Sequence, residues 1–236
     1  MNKQEERNAL DAVFGKLVQT VDEGEEPDFA CSADGGVRFG VEVTAFYWTE
    51  SDARLRNIRN YASDLIAGGS YRHKDDIHEI KVEDVVYHAA STGQSFPLKA
   101  IGRMVPPHRA SVPKLLAAIA GKNEKASRYH LRVRPVDLIV VDVEMVLRFE
   151  TVQQLLEPIL AAADAARVIE SPLREIYVIT RNTQKGVVYV PLRANLFAAE
   201  IALFSDVFRT LIRETGSRAT VQEYLEALNS STHKGK

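Results

Sequence analysis

The chain has 236 residues but only one cysteine, Cys31, and one tryptophan, Trp48. A lone thiol excludes a disulfide framework and any cysteine-based zinc centre, and it suits a reducing compartment. Long apolar runs are missing too. The longest, around Leu138 to Leu147, is interrupted by Asp142 and Glu144. It falls short of the roughly 20 apolar residues a membrane span requires, so no membrane partner is expected. Met1 to Arg7 are polar and charged, unlike the apolar heart of a signal peptide, and a cytoplasmic protein is expected. Three familiar glycine motifs are absent. Without Gly-x-x-x-x-Gly-Lys-Ser/Thr, Gly-x-Gly-x-x-Gly or Gly-x-Ser-x-Gly, the chain lacks the usual signatures of nucleotide cradles and serine hydrolases. His73 and His78 flank several carboxylates, but their separation fits no helix-borne zinc motif, and a polar loop is the simpler reading.

What is present is an average globular composition, 45% hydrophobic and 26% charged, which excludes a disordered or coiled-coil chain. The formal charge of -2 conceals an uneven distribution. Residues 1–30 carry 3 basic and 8 acidic side chains, whereas residues 99–134 carry 9 basic side chains against Glu124 alone. That stretch includes Arg103, Arg109, Lys114, Lys125, Arg128 and Arg132, with His108 and His130. Such a local field suits a polyanion, because neutralised phosphates release their counterions.

Hydrophobic spacing predicts a helix over residues 3–21, with Leu10, Val13, Phe14, Leu17, Val18 and Val21 in one stripe. Two strands follow, 29–32 and 37–46, joined at Ala33-Asp34-Gly35-Gly36. Further expectations are a helix over 50–65, a strand over 80–87 within an otherwise long loop, and a helix from Ser111 to about Ser127. Beyond these come a buried strand over 137–143, a helix over 151–168, a hairpin over 175–191, and helices over 196–214 and 220–228. The order is that of a mixed α/β fold.

The chemistry gathers around the first hairpin. Strand alternation sends Val41 and Val43 to one face and Glu42 and Thr44 to the other, so Glu42 is a carboxylate in a strand that is otherwise apolar. Buried there, it needs a partner or a metal. A two-residue turn at Asp34-Gly35 pairs Asp28 with Val41; one extra residue in the turn pairs it with Glu42. Two adjacent carboxylates suit Mg²⁺ or Mn²⁺, which can activate water and stabilise charge on a phosphate. Asp142 and Glu144 form a rival pair without a basic neighbour. Tyr47 and Trp48 could stack on bases or pack under a loop, and Arg54, Arg56 and Arg59 belong to a mixed-charge helix.

Pro27-Asp28, the hairpin and Glu42-Val43-Thr44 resemble the motif of the PD-(D/E)XK, or restriction-endonuclease-like, nuclease superfamily. The resemblance implies a mixed β-sheet flanked by helices: a helix, a three-stranded meander, a helix and a further strand. Residues 1–145 would form this nuclease-like core, and 146–236 a C-terminal α/β extension, a hairpin and helices, packed on the same domain. It also implies a metal-dependent nuclease acting on DNA, with Asp28 and Glu42 as metal ligands. Thr44 stands where the family places lysine, and a hydroxyl cannot supply that charge. Family members can carry the lysine on the helix after the meander. Lys122 lies at the edge of that helix's apolar stripe and resembles such a replacement, with Lys125 as second choice. Some members add a glutamate from the first helix, which points to Glu6. Arg109, Lys114, Lys125 and Arg128 would hold the phosphate backbone, and a homodimer is implied by analogy. The alternative is a catalytically inactive member that binds nucleic acid or serves as a scaffold.

Overall fold

The computed structural model describes residues 1–102, 106–129, 134–147, 149, 151–161, 165–182 and 186–215. Arg103, His130 and Arg132 and the expected helix over 220–228 lie outside them. The chain divides into two compact units, Met1–Leu192 and Arg193–Lys236.

The first helix, α1 (Lys3–Phe14), starts at a capping box. The Asn2 side chain accepts from the Glu5 amide, and the Glu5 carboxylate accepts from the Asn2 amide. The helix buries Ala9, Leu10 and Val13. It ends at Gly15, whose φ of 51° no β-branched residue would readily take. Residues 18–21 therefore do not extend the helix, as their spacing suggested. They belong to a strand, β1 (Val18–Glu23), followed by β2 (Phe29–Ala33) and β3 (Arg38–Phe46) in an antiparallel meander. Val18, Val21 and the apolar stripe before them fit both a helical and an extended period, and the break at Gly15 decides between them.

The expected single helix over 50–65 is two, α2 (Glu50–Asn57) and α3 (Tyr61–Ile66), separated at Asn60 by a φ of 61°. A short α4 (Asp76–Glu79) leads into β4 (Lys81–His88), and the presumed loop contains a second strand, β5 (Ser95–Gly102), paired antiparallel with β4. Then come α5 (His108–Ala126), β6 (Val136–Asp142), α6 (Val152–Leu160), α7 (Ala165–Ile169), β7 (Ile176–Asn182), β8 (Gly186–Pro191) and α8 (Leu192–Thr215). The expected helix over 151–168 is thus α6 and α7, with residues 162–164 outside the described set.

The main sheet has six strands in the order β1-β2-β3-β6-β7-β8. It is mixed: β3, β6 and β7 run parallel, and both flanks are antiparallel. On one face, Leu10, Val13, Phe29, Val41, Val43 and Ile139 form a core under α1. Leu10 is 1% exposed, and truncating such a side chain to alanine costs about 2–5 kcal/mol. Glu42 points to the other face, in register with Leu138 of β6. α5, with Val112, Leu115 and Ile119 buried, serves that face, since its Lys122 bonds Glu42.

From Arg193 on, α8 presents Phe197, Ile201, Phe204 and Val207 as exposed apolar side chains. No described helix is long and apolar enough to cross a membrane.

Candidate active site

The hairpin register settles the choice that the turn left open. Phe29 pairs with Val41 and Cys31 with Phe39, and the Ala33 amide donates to the Val37 carbonyl at 3.0 Å. Three residues, Asp34–Gly36, make the turn, and Gly35 and Gly36 take φ of 82° and 75°, conformations that glycine adopts without strain. The register carried one residue past Phe29 sets Asp28 opposite Glu42. Asp28 is then pinned by its own side chain, whose Oδ2 accepts from the Val43 amide at 2.8 Å.

Glu42 is 5% exposed, and its two oxygens differ. Oε1 accepts from Lys122 Nζ at 2.6 Å, whereas Oε2 is buried without a hydrogen-bond partner among the described residues. A buried carboxylate oxygen left unmatched costs on the order of 1–3 kcal/mol, more when charged. It marks a position where a cation or a donor is wanted. Lys122 lies on α5, about three helical turns beyond the buried Val112, with its side chain 20% exposed. The helix therefore delivers an ammonium to the sheet from 80 residues away in sequence.

Glu6 and Asp28 meet through a residue that sequence reasoning passed over. Lys3 Nζ lies 3.0 Å from Glu6 Oε2 and 3.3 Å from Asp28 Oδ1, and donates to the Gly24 carbonyl at 3.2 Å. The signal for Lys3 was its i,i+3 spacing to Glu6 at the start of α1. Hydrogen bonding to Glu6 raises the Lys3 pKa against the opposing effect of burial. Tyr129 was also passed over. It is 5% exposed, and burial first, then the neighbouring Glu42, push its hydroxyl well above an ordinary phenol. The hydroxyl makes no well-formed hydrogen bond among the described residues.

Among the described residues, no three histidine, cysteine or carboxylate side chains converge as a ready-made metal centre. The Asp28–Glu42 pair nevertheless fits a hard divalent cation. Mg²⁺ is commonly held by one or two carboxylates and keeps several waters, and the unmatched Glu42 Oε2 is a suitable donor.

The remaining residues sort clearly. Arg109, Lys114, Lys125 and Arg128 are all exposed on α5 or just beyond it. Lys114 is tethered, donating to the Trp48 carbonyl at 2.5 Å with Nζ 3.9 Å from the indole centroid. Tyr47 donates to Asn57, and Arg56 pairs with Glu5. The rival carboxylate Asp142 is consumed by structure: it accepts from the Val146 and Leu147 amides and from the Thr180 hydroxyl. In the His73–Glu79 stretch, Asp76 is fully buried and accepts from Ser51, Arg54 and Tyr61. These two carboxylates hold loops and helices in place.

Comparison with protein-family models, with curated proteins and with solved structures finds no match to this chain.

Proposed function

We propose that this protein is a metal-dependent phosphodiester hydrolase acting on DNA, built in the manner of the PD-(D/E)XK nucleases. The observation that carries the reading is the meeting of Asp28, Glu42 and Lys122 at one place on the sheet. The hairpin register, carried one residue past Phe29, brings Asp28 level with Glu42, and Lys122 of α5 reaches Glu42 at 2.6 Å. The order α1, β1–β2–β3, α5, β6, with β3 and β6 parallel, supports it, because that is the element order the resemblance implies.

Asp28 and Glu42 would hold a Mg²⁺ or Mn²⁺ ion, with Glu6 as a further ligand. Such an ion supplies an activated water and charge stabilisation at a scissile phosphate. The chain's own residues do the rest. The Val43 amide fixes the Asp28 carboxylate through Oδ2, while Oδ1 accepts from Lys3. Lys122, held on a rigid helix, can orient an attacking water and stabilise the negative charge that develops on it, which the Thr44 hydroxyl cannot. Thr44 can hydrogen-bond a water beside Glu42. The exposed Arg109, Lys125 and Arg128 offer phosphate contacts.

A second reading is a nuclease-fold protein that binds nucleic acid without cutting it. It is favoured by the observation that Glu42 and Asp28 each already have an ammonium partner, Lys122 and Lys3. Cleavage of plasmid and single-stranded DNA with Mg²⁺ or Mn²⁺ separates the two. Cleavage abolished by EDTA and by Glu42→Ala establishes the hydrolase. A wild type inert on both substrates, with salt-sensitive DNA binding retained, establishes the second reading.

A further inference from the structure

The Lys3 ammonium sits in a pocket of oxygens. Glu6 Oε2, the Gly24 carbonyl and Asp28 Oδ1 surround Nζ at 3.0, 3.2 and 3.3 Å. Nζ donates to the Gly24 carbonyl and to Asp28 Oδ1, and Glu6 Oε2 lies within ion-pair distance. The loop that supplies two of these oxygens is closed on itself, with the Gly24 amide donating to the Asp28 carbonyl at 2.9 Å. A Cβ on Gly24 would stand only 3.0 Å from the Pro27 carbonyl, so the loop is tight at that point.

Placing a lysine here runs against two ordinary preferences. Lys3 is the first residue of α1, where the helix dipole disfavours a cation by about 0.3–1 kcal/mol. Its side chain is 48% exposed and could point to water instead. The oxygen cage overrides both. It belongs to Gly24, Asp28 and Glu6, and the register carried one residue past Phe29 brings Asp28 level with Glu42, whose buried Oε2 has no hydrogen-bond partner among the described residues. Two carboxylates, Glu6 and Asp28, face the Lys3 ammonium, while Glu42 is paired with Lys122. Withdrawal of Lys3 leaves an excess of two negative charges, which is the charge of a divalent ion.

We propose that Lys3 is a tethered, displaceable cation: its ammonium occupies the oxygen cage of Glu6, Gly24 and Asp28 in the metal-free protein, and a divalent ion binds there only as Lys3 swings out. This rests on the metal-site reading above and adds a gate to it. Metal ligation requires oxygens at about 2.0–2.1 Å for Mg²⁺, so the cage must contract by about 1 Å around the incoming ion. Lys3 and the metal cannot share it. The apparent metal affinity is the intrinsic affinity multiplied by the fraction of molecules in which Lys3 is withdrawn.

The experiment is Mn²⁺ binding to the full chain, followed by calorimetry and by the electron paramagnetic resonance signal of free Mn²⁺. Wild type, Lys3→Met, Lys3→Arg and Glu42→Gln are compared. With the cage filled nine-tenths of the time, Lys3→Met tightens Mn²⁺ binding about tenfold, while Lys3→Arg, keeping the charge, does not. In the wild type, amine acetylation followed by mass spectrometry reads Lys3 directly and needs no variant to fold. Saturating Mn²⁺ should speed Lys3 modification severalfold while distant lysines such as Lys74 and Lys81 are unchanged. Mn²⁺ binding that Glu42→Gln abolishes, but that Lys3→Met leaves unchanged or weakens, overturns the gate and leaves the metal site standing. Absence of Mn²⁺ binding in wild type and Lys3→Met alike overturns both.

Discussion

Lys122 Nζ approaches Glu42 Oε1 to 2.6 Å across 80 residues of sequence, joining the C-terminal part of α5 to the middle of β3. The pair is nearly buried, with the two side chains 20% and 7% exposed. A buried ion pair gains little over an apolar pair of equal shape, but breaking it from one side strands a charge. Glu42 is already short of one hydrogen bond at Oε2, so its dependence on Lys122 is the greater.

Lys122→Met should therefore destabilise the protein by about 3–5 kcal/mol, measured by urea unfolding. Mn²⁺ should restore a larger share of stability to this variant than to the wild type, because a bound ion neutralises the stranded Glu42. The double variant Glu42→Gln, Lys122→Met should be more stable than Lys122→Met alone. Equal responses to Mn²⁺ would show that no ion binds beside Glu42.

The buried Asp76 supplies a test of structure apart from the candidate site. Burial alone would raise its carboxyl, but hydrogen bonds from Arg54, Ser51 and Tyr61 more than offset this and hold it at about 2. A lowered carboxyl stabilises the fold above its unfolded value of 3.8, and that stability is lost as pH falls toward 2. Acid unfolding between about pH 4 and pH 2 should be blunted in Asp76→Ala, which at neutral pH should already be about 3–5 kcal/mol less stable.

Cys31 should be inert in the native state. It is 2% exposed within the α1 core, and burial, with nearby Asp137 adding to it, pushes its thiol up to about 11. At pH 8 the reactive thiolate is then scarce as well as shielded. A thiol reagent such as 5,5′-dithiobis(2-nitrobenzoate) should label it only at the rate of unfolding, and fast labelling of folded protein would contradict the packing of β2 against α1.

The parts of this site differed in how plainly the sequence displayed them. Glu42 stood out because a charged residue between Val41 and Val43 breaks the apolar run of a central strand. Asp28 was brought near by the hairpin, but whether it met Val41 or Glu42 depended on one residue in the turn. Both Gly35 and Gly36 permit either answer, and only the three-residue turn selects Glu42. Lys122 could be placed on the inner edge of α5 by helical angle, whereas its distance to β3 is a tertiary fact. Lys3 was invisible because a lysine in the first turn of an acidic helix reads as solvated surface. β1 was hidden for a different reason: Val18 and Val21 continue the 3.6-residue spacing of α1, and the local pattern could not register that Gly15 ends it. β5 was missed because Pro97 and the polar residues around it resemble a loop, while its pairing with β4 supplies the missing hydrogen bonds.

The basic surface yields a prediction that does not depend on cleavage. Lys125 and Arg128 are exposed at the end of α5, beyond the turn that carries Lys122. If they neutralise phosphates, each contact releases counterions, and the slope of log affinity against log salt falls by about 0.9 for each one removed. Lys125→Ala with Arg128→Ala should thus weaken DNA binding at low salt and reduce the slope by about 2, with the same loss on unrelated sequences. Lys114→Ala should behave differently. Its ammonium is engaged by the Trp48 carbonyl and ring, so its removal should loosen the Trp48 segment, visible as a change in tryptophan fluorescence, while changing the salt slope less. Fluorescence anisotropy of a labelled duplex over a range of salt concentrations measures the slopes. A slope unchanged in the Lys125, Arg128 variant would place the DNA on another face of the protein.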